Sequence, residues 1–255
     1  MKAARQLAKR AFRDRSRTFL AEGPQAVREA LELPGTLLEL FVTAAARDRH
    51  AGLVGQAAAQ NIPVHAVSGE VMAELAQTVT PQGLLAVCRF LDVPLAGLVA
   101  ARPRLVAVLA SVRDPGNAGT VLRTADAAGA EGVIFTAASV DPYNSKCVRS
   151  SAGSLFHLPV VSGLSVAPTV DNLREAGLTV LATTLDGDPL DELDDVLSAP
   201  VAWLFGNEAH GLDADTAAAA DRRVRVPIHG RAESLNLAAA AAVCLYTTVR
   251  AQRSR

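Results

Sequence analysis

Three short segments of this 255-residue chain contain the side chains best suited to chemistry. Residues 114–119 read DPGNAG, residues 206–211 read GNEAHG, and residues 230–236 read GRAESLN. Their amide, carboxylate and hydroxyl groups could orient a ligand, and their glycines let the backbone approach it closely. Each segment also has an ordinary interpretation as a helix cap or a solvated loop. Together they define a candidate site, provided that the fold brings them to one place.

Four side chains in and after these segments are candidate functional groups. Asn117 lies where a helix N-cap is expected, and Arg123 follows on the same predicted helix. Glu208 follows an apolar stretch typical of a strand, which predicts a carboxylate at the edge of a sheet. Ser234 could cap the next helix. His210 lies two residues after Glu208, but no other histidine has metal-ligand spacing, so the sequence predicts no metal site.

The second half of the chain alternates short apolar stretches with helical ones. The predicted strands are 105–110, 132–136, 178–183, 201–205 and 223–227, and the predicted helices are 119–128, 170–176 and 235–250. Short strands separated by helices favour an α/β fold with a mainly parallel sheet covered by helices on both faces. In such sheets ligands bind beyond the carboxyl ends of the strands. The three polar segments follow predicted strands, so we expect them to meet at this edge.

Two common nucleotide-binding signatures are missing from the polar segments. The dinucleotide fingerprint GxGxxG is absent, and so is the phosphate loop GxxxxGK[ST]. Their absence argues against a nucleotide-dependent oxidoreductase and against phosphate binding by a glycine-rich loop.

The chain before residue 95 is predicted to form a smaller α/β/α domain, residues 1–94. Its predicted helices are 24–33, 52–60 and 72–78, and its predicted strands are 37–42, 64–67 and 84–88. Prolines at 94 and 103 with a glycine at 97 predict that residues 95–104 are a linker. The larger domain is then predicted to be residues 105–255.

The net charge of −1 hides an uneven distribution of charge. Residues 1–17 contain seven Lys or Arg and one acid, whereas residues 170–221 contain twelve acids and one base. The basic start could bind an RNA backbone, because a phosphate responds to the local potential rather than to the net charge. A solvated helix without a partner and a mitochondrial presequence are alternative interpretations of the same residues.

The composition is typical of a soluble globular protein rather than a disordered one, with half of the residues apolar and a fifth charged. The apolar stretch 95–110 contains two arginines and is too short to span a bilayer, so no membrane partner is predicted. The cysteines are odd in number, far apart and without a CxxC pair, which predicts reduced core thiols in a cytoplasmic protein rather than disulfides or a zinc site. They are Cys88, Cys147 and Cys244.

In order along the chain, the three polar segments resemble the motifs of the SpoU/TrmH family of RNA 2′-O-ribose methyltransferases, in the SPOUT class. The first motif, N-x-G-x-x-x-R, is matched by Asn117, Gly119 and Arg123. The second, a strand followed by G-x-E and a nearby Gly-Leu, is matched by Gly206, Glu208, Gly211 and Leu212. The third, a hydrophobic-Pro pair followed by Gly and S-L-N, is matched by Val226, Pro227, Gly230, Ser234, Leu235 and Asn236.

The resemblance covers nearly the whole chain. Residues 19–31 look like the opening of a small RNA-binding domain, similar to certain ribosomal proteins, and residues 81–86 look like its final strand. Residues 141–153 are similar to the segment that connects the first two family motifs.

The resemblance implies a fold, an assembly and a cofactor. The catalytic domain would form a deep trefoil knot with the C-terminal helix threaded through a loop, and the protein would be a homodimer through this domain. The cofactor would be S-adenosylmethionine (AdoMet), held in the knot largely by backbone groups. The implied cofactor-binding residues are Thr183, Gly206, Val226, Ile228 and Leu235.

The implied reaction is methyl transfer from AdoMet to a ribose 2′-hydroxyl of RNA, with 23S rRNA as the favoured substrate. The implied catalytic residues are Asn117, Arg123, Glu208, Ser234 and Asn236, and the implied RNA contacts are Arg123, Lys146 and Arg149. Family mechanisms give the arginine at position 123 the role of general base. A guanidinium stays charged in proteins, so we expect Arg123 to stabilise a developing alkoxide or to bind the adjacent phosphate.

Two other functions are compatible with the same residues. The chain could methylate a tRNA ribose instead. It could also be a non-catalytic rRNA-binding or assembly protein that uses its N-terminal domain on a decayed enzyme scaffold, although the intact motif residues argue against decay.

Overall fold

The computed structural model describes residues 1–76 and 78–254. Its helices are α1 (Lys2–Gln6), α2 (Arg10–Ser16), α3 (Pro24–Glu32), α4 (Ala44–Arg49), α5 (Ala51–Ala59), α6 (Gly69–Ala76), α7 (Leu95–Ala100), α8 (Pro115–Ala128), α9 (Ser145–Ser150), α10 (Val166–Glu175), α11 (Asp194–Leu197), α12 (Ala214–Ala219) and α13 (Leu237–Arg253). Its strands are β1 (Thr18–Glu22), β2 (Leu37–Val42), β3 (Val64–Ala66), β4 (Leu84–Arg89), β5 (Leu105–Leu109), β6 (Gly132–Thr136), β7 (Val160–Leu164), β8 (Thr179–Pro189), β9 (Val201–Phe205) and β10 (Arg222–Arg225).

The chain divides into two compact units. The smaller unit contains residues 1–91 together with residues 143–157, and the larger unit contains residues 92–142 together with the chain from residue 158 onwards. The predicted domains 1–94 and 105–255 differ from these units chiefly in the assignment of residues 143–157.

The larger unit is built on a six-stranded sheet in the order β10-β8-β9-β5-β6-β7. Every neighbouring pair is parallel, so all six strands end at the same edge. β5 lies centrally and is buried along its whole length, as an all-apolar strand covered on both faces should be. This sheet confirms the predicted α/β fold class, while the trefoil knot stays a prediction.

Two long helices of the larger unit begin at this edge of the sheet, and both begin at a different residue from the one predicted. α8 begins at Pro115, and its N-cap is Asp114, whose carboxylate accepts the Asn117 N–H at 2.8 Å. The prediction of Asn117 as the N-cap was therefore wrong, because an Asp-Pro pair three residues earlier is a strong helix start. α13 begins at Leu237 rather than at 235, with Asn236 and not Ser234 as its capping residue.

A buried hydrogen bond fixes α13 against the sheet. Trp203 in β9 is fully buried, and its indole Nε1 donates to Thr248 Oγ1 in α13 at 2.9 Å. The Thr248 hydroxyl in turn donates to the Cys244 carbonyl. The C-terminal half of α13 is thereby held against β9.

The smaller unit contains a four-stranded sheet in the order β1-β4-β2-β3. β4 pairs antiparallel with both β1 and β2, and β2 pairs parallel with β3. On one face, Leu20, Phe41 and Leu85 pack with Met72 of α6. On the other, Phe19 lies 4.8 Å from the ring of Tyr143, which brings the 143–157 segment into this unit. Helices therefore cover both faces, in agreement with the predicted α/β/α arrangement.

The structure contains elements that the sequence patterns missed. β1 and β7 were not predicted, and β8 continues to Pro189 rather than ending at residue 183. Residues 95–100 of the predicted linker form α7, because Leu98 is buried in the core of the larger unit. A Cβ at Gly132 would lie 2.5 Å from Leu98, so the glycine makes this packing possible.

Candidate functional site

The three polar segments meet at the carboxyl edge of the six-stranded sheet. β5 and β9 are neighbours in register, with Leu109 opposite Phe205, so the loops that follow them start side by side. Within the second loop, Asn207 and Gly211 exchange two backbone hydrogen bonds of 2.9 and 2.8 Å. The side-chain amide of Asn207 donates to the Ser111 carbonyl at 3.1 Å, which ties this loop to the first one.

Glu208 is the principal link between the first and second segments. Its carboxylate accepts the backbone N–H groups of Arg113 at 3.3 Å and Asp114 at 3.0 Å. It also accepts the side-chain amide of Asn117 at 3.4 Å. A carboxylate that accepts several N–H groups is held in one orientation. Glu208 therefore fixes the 206–211 loop to the start of α8.

Asn117 and Asn236 extend this link to the third segment. The Asn236 Nδ2 group donates to Asn117 Oδ1 at 3.2 Å, while Asn236 Oδ1 accepts the Ala238 N–H at 2.9 Å. Each amide therefore has one orientation that satisfies both of its partners. Asn117, Glu208 and Asn236, which are far apart in the sequence, form one continuous chain of hydrogen bonds.

Ser234 and Arg123 are placed differently from the linked residues. Both side chains are exposed, and neither forms a hydrogen bond or ion pair with another residue in the described part of the chain. Arg123 follows Asn117 by six residues on α8, about 9 Å further along the helix and on a different face. The structure thus joins three of the five predicted catalytic residues by hydrogen bonds, and the side chains of the other two form none with a described residue.

Residues 104–246 match the SpoU rRNA Methylase family. A 23S rRNA (guanosine(2553)-2′-O)-methyltransferase, RlmP of Bacillus subtilis (strain 168), is 37% identical over 235 residues, covering 92% of this chain and 89% of that protein. The chain belongs to the SpoU rRNA methylase family. The resemblance deduced from the three motifs is therefore confirmed.

Solved structures of the SpoU family extend the match to nearly the whole chain. An AdoMet-bound rRNA methyltransferase from Sinorhizobium meliloti has a TM-score of 0.85 and 33% identity, covering 98% of this chain and 93% of that chain. AviRb from Streptomyces viridochromogenes in complex with AdoMet has a TM-score of 0.84 and 29% identity, covering 99% and 97%. Residues 1–86 match an MRM3-like substrate binding domain.

The residues that the SpoU resemblance assigns to AdoMet all lie at or near the carboxyl edge of the sheet. They are Thr183 in β8, Gly206 after β9, Val226 and Ile228 after β10, and Leu235 before α13. The Thr183 hydroxyl donates to the Leu204 carbonyl at 3.0 Å. A Cβ at Gly206 would clash with the Gly211 backbone, so only glycine permits the tight 206–211 loop.

Two features of this SpoU site fit a ligand held largely by backbone groups. Across residues 227–235, no backbone N–H or C=O group forms a hydrogen bond to another described protein group. Thr184 Oγ1, next to Thr183, is buried without a hydrogen-bond partner in the part of the chain that the structure describes. Polar groups left without protein partners are available to a polar ligand. The residues present therefore fit AdoMet.

The predicted RNA contacts Lys146 and Arg149 lie on α9, which belongs to the smaller unit. Arg149 Nη1 lies 3.4 Å from the Glu22 carboxylate and donates to the Ala76 carbonyl at 3.4 Å. Burial raises the pKa of Glu22 above its ordinary value, although Arg149 and the Gln82 N–H act in the opposite direction. Arg149 thus stabilises α9 against β1, while Lys146 remains exposed.

Sequence reasoning missed three contributors to this site: Asp114, Asn207 and Thr184. Asp114 caps α8, and the Asp-Pro pair was a signal that could have identified it. Asn207 ties its loop to Ser111 and accepts the Ala209 N–H, a role that only the folded loop reveals. Thr184 lies inside a strand that continues past its predicted end, so the pattern gave no signal for it.

No metal centre or membrane span is found in the described parts of the chain. Among residues 1–76 and 78–254, no group of three or more His, Cys, Asp or Glu side chains could hold a metal ion. No helix within these residues combines the length and apolar character needed to cross a membrane. The three cysteines are buried, and none of them forms a disulfide with another described residue.

Proposed function

We propose that this protein is an AdoMet-dependent RNA methyltransferase that acts on a ribose 2′-hydroxyl of 23S rRNA. The observation that carries the proposal is the hydrogen-bonded chain Glu208–Asn117–Asn236, which joins the three SpoU motifs at one sheet edge. The curated relative RlmP is a 23S rRNA 2′-O-methyltransferase, and its similarity over most of the chain supports the same reaction here.

AdoMet would be held by the backbone of residues 227–235, with Thr183 and Gly206 at the neighbouring strand ends. The N–H and C=O groups of residues 227–235 have no partner within the described protein, and Val226 and Ile228 are half-buried beside them. When bound, AdoMet supplies a methyl group already activated for transfer. The task left to the chain is to orient the ribose hydroxyl and to stabilise its negative charge.

Asn117 and Asn236 would serve as positioning residues whose amides are fixed in orientation. Glu208 would act through them, since its carboxylate already accepts three N–H groups. Ser234, two residues before Asn236 and exposed, would contact the ribose directly. A rigid frame of this kind reduces the reorganisation that the reaction would otherwise require.

Arg123 would supply positive charge to the developing alkoxide or to the adjacent phosphate. Its guanidinium has no ion-pair partner among the described residues, so its charge is available to RNA. Because a guanidinium is not deprotonated in proteins, we assign it stabilisation of charge rather than proton removal.

The smaller domain, residues 1–94, would recognise the RNA. Its match to an MRM3-like substrate binding domain supports this role. Some basic residues of segment 1–17 have a structural role. Arg13 is buried and donates a hydrogen bond to the Leu7 carbonyl, and Arg5 forms an ion pair with Glu74. Lys2 and Lys9 remain exposed and are better candidates for RNA phosphates.

A methylation assay tests the proposed function. The full chain is incubated with radiolabelled AdoMet and with rRNA or tRNA from cells that lack the gene, and 2′-O-methylated nucleotides are then mapped. We expect one new site in 23S rRNA. A new site only in tRNA would favour the tRNA alternative, and rRNA binding without AdoMet binding would favour a non-catalytic protein.

We also propose that the protein is a cytoplasmic homodimer assembled through α13. Val243 and Tyr246, 40% and 52% exposed, form an apolar stripe with Ala239 on the outer face of this helix. Such a stripe is typical of a protein interface. Light scattering should give twice the chain mass for the wild type and a smaller mass for Tyr246→Lys. Buried cysteines without a disulfide are consistent with the cytoplasm.

A further inference from the structure

Residues 111–114 form a turn between β5 and α8, and side chains of two other loops hold its backbone. The four consecutive N–H groups of this turn all donate to side chains. The first two donate to the buried hydroxyls of Thr136 and Ser139, at 3.3 and 3.2 Å, and the last two donate to the Glu208 carboxylate. Because every N–H group of the 111–114 turn has a partner, its backbone is held in one conformation.

The 111–114 turn also contains a strained residue. Ser111 has a φ of 61°, in the left-handed region that residues other than glycine rarely adopt. Strain of this kind persists only where the surrounding structure fixes the backbone, and it is concentrated at sites that bind ligands. The next side chain, Val112, is fully buried, whereas Arg113 is exposed. The turn therefore presents the side chain of Arg113 to solvent from a rigid backbone.

The charge of Arg113 is not neutralised by the protein. Its guanidinium forms no hydrogen bond or ion pair with another residue in the described part of the chain, and Glu208 accepts its backbone N–H rather than its side chain. Other arginines of the larger unit do pair with carboxylates, namely Arg174, Arg222, Arg223 and Arg250. The positive charge of Arg113 is therefore available to an anion from solvent.

The position of Arg113 indicates which anion would bind. Glu208 joins its backbone to Asn117, so Arg113 lies beside the residues that would orient the ribose. The anionic groups of an RNA substrate are its phosphates, and the planar guanidinium binds a phosphate through two parallel hydrogen bonds.

We propose that Arg113 binds a backbone phosphate of the RNA next to the target nucleotide. This inference rests on the proposed function, because it places the target ribose at the Glu208–Asn117–Asn236 chain. Contacts to phosphates fix the register of a nucleic acid without reading its sequence. Arg113 would then hold the strand in place, and the charge of Arg123 would be left for the reacting oxygen.

The salt dependence of RNA binding tests the proposal. The Kd of the full chain for transcribed 23S rRNA is measured at several salt concentrations for the wild type, Arg113→Gln and Arg102→Gln. Arg102 is a matched control, since it is exposed and unpaired among the described residues but precedes β5 instead of following it. We expect Arg113→Gln to raise the Kd about tenfold and to lower the slope of log Kd against log salt by about one. Equal slopes for the two variants would overturn the proposal.

Steady-state kinetics distinguish phosphate binding from a structural role. For Arg113→Gln, the loss should appear mainly in the KM for rRNA, and an unchanged Kd for AdoMet would show that the site is still folded. Arg113→Lys keeps the charge and should recover most of the affinity and the wild-type salt slope. A loss confined to kcat, or an Arg113→Lys variant as weak as Arg113→Gln in both respects, would contradict binding through charge.

The same measurements separate this inference from the proposed function. A lower salt slope for Arg113→Gln would support the phosphate contact even if the wild type methylated no RNA. A wild type that methylates 23S rRNA, together with an Arg113→Gln variant that keeps the wild-type Kd and slope, would overturn the phosphate contact alone.

Discussion

Two loops border the candidate site and are held in opposite ways. The 206–211 loop is fixed at both ends by backbone hydrogen bonds, and Asn207 and Glu208 tie it to the start of α8. Residues 227–235 form no backbone hydrogen bond with another described group. The first loop can orient side chains because its own geometry is fixed. The second can bind a ligand through its backbone because its polar groups have no other partner.

We expect the largest loss of activity when the charge of Arg123 is removed. Arg123 lies outside both loops. Arg123→Ala should lower kcat by about 100- to 1,000-fold, because a charged group that stabilises the reacting oxygen is lost. Arg123→Lys keeps the charge and should retain measurable activity. The measurement is the initial rate of rRNA methylation, with AdoMet affinity as the control for folding. Complete inactivity of a folded, AdoMet-binding Arg123→Lys variant would contradict our assignment.

In the 206–211 loop, kcat should depend on the carboxylate of Glu208. Glu208→Ala leaves the N–H groups of Arg113 and Asp114 without their acceptor, so Asn117 loses its orientation. We expect kcat to fall about 100-fold, as small misplacements at active sites do. Glu208→Gln keeps one oxygen acceptor and should lose less. Wild-type kcat in Glu208→Ala would mean that the link does not position the site.

Two substitutions of Asn236 distinguish the effects of its two hydrogen bonds. Asn236→Asp retains an oxygen for the Ala238 N–H but cannot donate to Asn117, whereas Asn236→Ala loses both bonds. The Asp variant should keep the unfolding free energy and lose about tenfold in kcat. The Ala variant should also lose about 1 kcal/mol of stability through the missing helix cap. Chemical denaturation and initial rates measure the two effects. Equal stability of both variants would rule out the capping role.

The sequence predicted the parts of this site that depend on local rules. Strands with continuous apolar residues, such as Val201–Phe205, were recognised because a buried parallel strand needs no polar face. The convergence of Asn117, Glu208 and Asn236 followed from the rule that parallel strands end at one edge. Their roles, however, came from the resemblance to SpoU proteins and not from residue spacing.

Other features depended on tertiary contacts and could not be predicted. Residues 143–157 pack with the smaller unit because the Tyr143 ring contacts Phe19 and Arg149 donates to the Glu22 carboxylate. Both partners lie more than 100 positions earlier in the sequence. β1 contains only five residues, and its pairing with β4 decides its conformation.

We expect the smallest effects from side-chain substitutions in residues 227–235. In this loop the backbone groups should contribute more to AdoMet binding than the side chains do. Arg231→Ala and Glu233→Ala remove exposed charges from residues 227–235 and leave every N–H and C=O group in place. We expect each to change the Kd for AdoMet by less than about twofold in calorimetry, because surface groups of this kind contribute little. Ala232→Pro removes one N–H donor from the same loop and should weaken binding about tenfold. The reverse order of effects would mean that side chains of residues 227–235, and not their backbone groups, hold the cofactor.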